Sequence, residues 1–450
     1  MTEKVDNSLV YTRVTNNHPT INMRNVSPQN SSSVSLSTAS DVGPTEIIIA
    51  PAAFNFSKSR LEFDVSYPAQ GASNYTHVNA NLATMFSRIV VYSSATNAVL
   101  CDLSNCEKYV SMVTPAGTKF DDFLTKSYAA SAPNATFSTA SPYPLEDIRK
   151  SNADATYMCG VNVGAQGLTI GREQTFVSGA NAILSFRASI PFSAFKMSVL
   201  ALDKLMYFPE NLVLSIYWAG TDKYASIGTS ATNSVTDVAS LATVPTITNL
   251  RLSLATEANL NIVNQLVSKV MSSGMSLPIA YPTVTRQSQS ASTSHSYQLA
   301  LTSGYGSRIL AVISAPFSQT AGACYANVHS RGTLSKYNTF LNSVALKYPA
   351  GFTISKGDDY TLNAKEFLKG STVQTIGEYG LAEWFHCDSF FGDKPLWAVD
   401  QTEVDGLDMA TSSNTWSIQA DLSSSTAYNW VSAIIGQKEL QVTSQGTMVM

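Results

Sequence analysis

Charge is scarce in this 450-residue chain. Asp, Glu, Lys and Arg make up 13% of it, about half the usual quarter for a soluble protein. Net charge is −4, so no overall pull toward nucleic acid exists, and no sequence-specific nucleic-acid binding is expected. The five cysteines, Cys101, Cys106, Cys159, Cys324 and Cys387, are few and odd in number. That argues against a disulfide framework and for assembly in a reducing compartment. The longest apolar runs, such as Ile309 to Phe317, are too short for a transmembrane segment. The opening Met-Thr-Glu-Lys-Val-Asp lacks the apolar stretch of a secretory leader. The sequons at Asn25, Asn30, Asn55, Asn74 and Asn134 are therefore read as chance in a chain rich in Asn, Ser and Thr.

What is present is apolar and aromatic. Hydrophobic residues form 44% of the chain, with 20 tyrosines and 19 phenylalanines, enough for two substantial cores without metal or disulfide staples. Few charges and many aromatics suit a protein whose flanks neighbours cover. A Ser/Thr-rich β-protein with a neutral surface has the same composition.

Two β-rich runs of similar size read alike. Ser87-Arg88-Ile89 leads into Val90-Val91-Tyr92, and Ser307-Arg308-Ile309 into Leu310-Ala311-Val312-Ile313. Lys108-Tyr109 has a counterpart in Lys336-Tyr337, and Asp121-Asp122 in Asp358-Asp359; the separation grows from 220 to 228 to 237 residues. Duplicated scaffolds that keep strands and vary loops give that drift.

Residues 1–44, polar and Ser/Thr/Asn-dense toward their end, read as an N-terminal extended arm ordered only against a partner. A first unit spans 45–256, where Leu61, Phe63 and Val65 alternate with polar residues at the strand period. Residues 103–126 suggest short helices inserted between strands. A linking helix follows at 257–276: Leu260, Val263, Leu266, Val267, Val270 and Met271 share one face, and Gly274 follows as a stop. It either docks against both units or belongs to one. The second unit and C-terminal tail fill 277–450, with strands expected near 297–301, 308–315, 339–346, 381–387, 415–420, 429–435 and 439–443, and a helix from Asp358-Asp359 to Lys369. Short strands without alternating helices give an all-β sandwich architecture.

The chemistry-bearing residues form no recognisable constellation. Gly304-x-Gly306 starts a nucleotide fingerprint, but Ile309 takes the third glycine's place. Gly228-Thr-Ser230-Ala-Thr232 lacks the last glycine of a nucleophile elbow. Asp400, Glu403, Asp405 and Asp408 are densely acidic, and Asp405-Gly406 resembles part of a calcium loop. Gln401 and Ser412, however, occupy ligand positions. Glu403 and Asp405 lack a second carboxylate across a cleft for glycosidase work. Cys101-x4-Cys106 and Cys324-x4-His329 have neither of the short zinc-site spacings. His386 and Cys387 would point to opposite faces of a strand. His18, His77, His295 and the remaining histidines read as structural. No catalytic, cofactor-binding or metal residue is assigned, and the chain is expected not to be an enzyme.

Three stretches carry a resemblance to a known family. They are Ser189-Ile190-Pro191-Phe192 with Leu205-Met206-Tyr207-Phe208-Pro209-Glu210-Asn211-Leu212-Val213-Leu214; Ile247-Thr248-Asn249-Leu250-Arg251-Leu252 before the helix; and Tyr337-Asn338-Thr339-Phe340-Leu341-Asn342 with Asp359-Tyr360 and Leu368-Lys369-Gly370-Ser371. Together they resemble the double jelly-roll major capsid proteins of double-stranded DNA viruses, a lineage with adenovirus-like, polinton-like, virophage and large nucleocytoplasmic members. The resemblance implies two tandem eight-stranded jelly-roll β-sandwiches. It also implies homotrimeric capsomers of pseudo-hexameric outline, an icosahedral virion shell around DNA, and penton and minor or cement proteins as further partners. Under it, the arm and Gly446 to Met450 are expected to reach neighbouring capsomers. The rival expectation is a carbohydrate-binding or host-attachment protein on the same sandwich, with Trp384, Trp397, Trp416 and Trp430 exposed to stack on sugars.

Overall fold

The computed structural model describes residues 19–71, 73–79, 81–116, 129–131, 175–229, 239–319, 334–345, 352–353, 396–399, 407–408 and 414–450. Those residues form an all-β protein with two α-helices among them, Cys106–Ala116 and Leu260–Ser272.

The first unit is a sandwich. Its larger sheet centres on Ala52–Tyr67, flanked by Leu184–Pro191 and Thr246–Glu257, with Ile21–Val26 at one edge. The facing sheet runs in the order Val42–Ile49, Leu212–Trp218, Phe86–Ser93, Val99–Ser104. A three-stranded sheet, Ala225–Gly228, Tyr75–Asn79 and Thr175–Val177, completes the unit among the described residues. The period-two pattern explains the packing: Leu61, Phe63 and Val65 are buried while Glu62 and Asp64 turn outward. Phe63 meets Trp218 of the opposite sheet edge-on, with ring centroids 5.3 Å apart. The Trp218 indole N–H donates to Thr45 Oγ1 at 3.2 Å, so its one polar atom is satisfied inside.

The second unit is built on a different plan. Met275–Leu301 pairs antiparallel with Asn414–Thr443, strands of 27 and 30 residues against a usual five or six. Register shifts around Gln289, Ser292 and Ser294 interrupt the pair, the irregularity that lets a long ribbon bend. Arg308–Ser318 and Leu334–Leu341 bond to the 414–443 strand in the same nine-stranded sheet. The sequence suggested three separate strands across 415–443. One continuous strand forms: Ser423-Ser424-Ser425-Thr426 contains no proline or glycine to break it, and Gly436 stays in the ladder because it pairs on both sides, with Tyr281 and Ile309.

The duplicated motifs separate into those with equivalent places and those without. Ser-Arg-Ile opens a central strand in each unit, Phe86–Ser93 and Arg308–Ser318. Arg88 donates twice to Asp102 on the next strand, at 2.7 and 2.6 Å, and Arg308 stands in register with Asp408. Lys108-Tyr109 and Lys336-Tyr337 do not correspond, since the first lies in a helix and the second in a strand. The aspartate pairs, the 358–369 helix and the 381–387 strand lie outside the described residues.

Parts of both terminal stretches pair within the chain, which corrects the expectation that the arm is ordered only against a partner. Within the stretch read as an arm, Ile21–Val26 pairs with Leu252–Glu257 and Val42–Ile49 pairs with the 212–218 strand, both inside the same chain. The C-terminal tail turns back at Gly446, and Gly446–Val449 pairs with Leu440–Thr443. Intramolecular pairing satisfies these backbone groups without a neighbour.

Candidate assembly surfaces

The sequence residues considered for chemistry fall into structural places. Cys101 and Cys106 are free thiols buried in the core. Burial pushes both thiols up from the usual range, so they are held as neutral S–H groups. Cys159, Cys324, His329, His386, Cys387, Asp400, Gln401, Glu403, Asp405, Gly406 and Ser412 lie outside the described residues. Among the described residues, no three metal-ligating side chains cluster, and no helix is long and apolar enough to cross a membrane.

Gly306 and Gly436 serve strand packing rather than phosphate binding. Gly306 has φ +136°, and a Cβ there would lie 2.3 Å from the Gln437 carbonyl oxygen. A Cβ on Gly436 would lie 1.8 Å from the Tyr305 carbonyl oxygen. Two backbones cross where a side chain does not fit.

The tryptophans correct the sugar-stacking expectation. Trp416 and Trp430 are buried. Trp430 stacks on Tyr297 at 6.4 Å, and Trp416 meets Tyr297 edge-on at the same spacing. The Trp430 indole N–H donates to His295 Nδ1 at 3.1 Å, which leaves His295 Nε2 to carry the proton toward the Ser290 carbonyl at 3.2 Å. These rings form the centre of the second unit's own core. Trp397 lies in the strand Leu396–Val399, and Trp384 is outside the described residues.

Between the units runs a joint that sequence reasoning missed. Ile279, Ala280, Val284, Leu310, Ile313, Phe317, Val431, Ala433 and Ile435 are continuous with the first sandwich's core. Ile309, Val312, Trp430 and Ile434, on the opposite face of the same sheet, belong to the separate second core. The strand alternation that normally gives one apolar face here supplies two. Within the joint, Lys108 lies 5.4 Å from the Phe317 ring centre. Glu107, 1% exposed, sits 4.0 Å from Lys108 and 3.9 Å from Lys223. Burial raises the Glu107 carboxyl from its ordinary value, and the two ammonium groups offset part of that. At the rim, Thr96 donates to the Thr447 carbonyl at 2.6 Å, and the Thr447 amide donates to Glu210 Oε1 at 2.7 Å.

The exposed surfaces among the described residues include two kinds. The outer face of the large first sheet is a polar ladder. Arg187 donates twice to Asp64, Asn249 donates to the same carboxylate at 2.7 Å, and Arg251 donates to Glu62 at 2.8 Å. The Arg187 pairing, the largest cause, holds the Asp64 carboxyl below the usual range. The second surface is apolar. The linking helix buries Val270 alone, and Leu260 and Met271 are 72% and 52% exposed. The helix touches Leu205–Phe208 and Thr246–Glu257 of the first unit and Asn414–Thr443 of the second.

The arrangement of strands defines an all-β, double jelly-roll class of fold. No protein-family model matches the sequence, and no curated protein matches it. Among solved structures, the mavirus major capsid protein is similar at TM-score 0.51 and 10% identity, over 95% of this chain and 90% of that one. A chain of the Sputnik virophage matches at TM-score 0.49 and 9% identity, over 96% and 88%. The PBCV-1 virus capsid matches at 0.48 and 8%, over 96% of each. The fold is that of the double jelly-roll major capsid proteins, as the three sequence stretches implied.

Proposed function

We propose that this protein is a major capsid protein, a building block of an icosahedral virus shell. The observation that carries this reading is the shared fold, which extends across both units rather than one. A chain with two jelly-roll units presents nearly equivalent flanks at sixty-degree steps, so three copies close a pseudo-hexameric ring. Obligate contacts of that kind resemble a core cut in half, and the low charge and rich aromatic content suit them. Shell formation stabilises no transition state, so the role needs no catalytic residues. With a net charge of −4, the subunit encloses a DNA genome without gripping it. The virion is its site of action, with penton and minor capsid proteins at positions that trimers cannot fill.

Electron microscopy and analytical ultracentrifugation of the purified chain test this. Trimers of hexagonal outline, joining into sheets or shells, are the expected result. A stable monomer at all concentrations would sink the reading, and isolated spikes would support attachment instead.

A further inference from the structure

We propose that Glu107 is a proton-operated latch on the joint between the two units. While its carboxyl is protonated the joint stays shut, and ionisation loosens the contact between the Cys106–Ala116 helix and the Arg308–Ser318 strand. The helix packs on Leu82–Met85 and Phe86–Ser93 of the first unit, and it also touches Arg308–Ser318 of the second. Lys108, next to Glu107, marks the crossing by its place over the Phe317 ring.

The carboxyl is poorly equipped to be an anion. Its Oε2 is buried with no hydrogen-bond partner among the described residues. The Lys108 and Lys223 ammonium groups stand 4.0 and 3.9 Å from Oε1, beyond hydrogen-bond distance. Lys223 is turned instead to Asp41, at 2.7 Å. A buried carboxylate needs its lone pairs occupied at close range, and without that the neutral acid is the better occupant. Opening the joint admits water, which favours the anion. Proton loss and opening are therefore linked.

The surrounding charges do not replace the proton. Burial is the largest influence on Glu107 and raises it; Lys108 and Lys223 pull it down, and Asp41 pushes it up. Asp222 has a buried, unpartnered Oδ1 of its own, and burial raises its carboxyl too. Burial lowers Lys108; Glu107 and Asp222 favour its charge, while Arg286 of the second unit and Lys223 oppose it. On the packed elements, Leu82–Met85 has no charged side chain, Arg88 is held by Asp102, and Arg308 stands in register with Asp408. Cys106 is kept neutral by burial. The sign follows. Opening is rarest below the ordinary Glu value and grows as pH climbs through the raised one. Lys108 acts oppositely on the alkaline side, where its neutral form favours the shut joint.

Hydrogen exchange of the unassembled full chain across about pH 4 to 8 tests the proposal, each rate divided by that of the unstructured peptide at the same pH. Peptides covering 106–113 and 309–317 should lose protection by at least about threefold as pH rises. A peptide at 61–67, away from the joint, should keep its protection. In Glu107→Gln, which stays neutral, the joint peptides should hold their low-pH protection throughout. Asp222→Asn separates the neighbouring acid, and the pH dependence should survive it. Flat joint protection in the parent would overturn the proposal. So would a pH dependence that persists in Glu107→Gln or vanishes in Asp222→Asn. If Glu107→Gln fails to fold, the parent and Asp222→Asn decide. The outcome is independent of whether shells form, so the two readings fail separately.

Discussion

The two units solve the same packing problem in different ways. The first is a conventional sandwich: Phe63 and Trp218 interlock across two sheets, while the far side of the large sheet carries the Asp64–Arg187 ladder to solvent. Among the described residues, the second has one long-stranded sheet with apolar residues on both faces, Val431 and Ala433 toward the joint and Trp430 and Ile434 toward its own core. The two units thus share a strand-built plan without being independent. The second sheet is the floor of two cores, so the units are coupled through packing.

The sharpest way to break this comparison is to empty each core in turn. Phe63→Ala and Trp430→Ala should each cost about 3–5 kcal/mol, and both should lower one shared unfolding transition followed by calorimetry. If Trp430→Ala instead produces a separate early transition with the first unit intact, the continuous core does not couple the two. Next in size is Gly436→Ala, which forces the Tyr305 crossing apart. A loss on the order of 1–3 kcal/mol is expected from the overpacking, measured by denaturant titration. Gly304→Ala is the control, because only Thr302 Oγ1 approaches that position, at 3.4 Å.

Glu107 sharpens the comparison at the joint. Its folded-state pKa is raised by burial, so the fold binds this proton more tightly than the unfolded chain does. The stability it contributes is fully present below the ordinary Glu value and is lost as pH rises through the raised one. Glu107→Gln should therefore gain on the parent as pH rises through that window, read as Tm against pH for both proteins. Parallel curves would remove Glu107 from the account. The smallest effect should come from Arg88→Ala, whose pair with Asp102 is partly exposed at 43% and 32%. It should cost less than about 1 kcal/mol and change little with the state of the joint.

Much of the first unit was legible because its strands bury one face. Leu61, Phe63 and Val65 alternate plainly, and the helix at 260–272 shows its stripe and its glycine stop. The long pair was not legible. Gln287 to Ser296 is nearly all polar, mostly Ser with Gln and Thr, and shows no apolar period, yet it extends the strand by pairing across the ribbon with a stretch that supplies the buried Ala420, Tyr428 and Trp430. The exposure of Trp416 and Trp430 was misjudged for a related reason. A tryptophan's position in a strand does not say which face is covered until a second sheet face is known.

The order of apolar and polar residues alone determined that this is an all-β chain in two related units with one amphipathic helix between them, because strand and helix periods are local properties. Tertiary structure alone decided that the second sheet carries two cores, that residues 21–26 and 446–449 close onto their own chain, and that the helix keeps a bare apolar shoulder. Those outcomes depend on which faces meet at separations of hundreds of residues, and local periodicity holds no record of that.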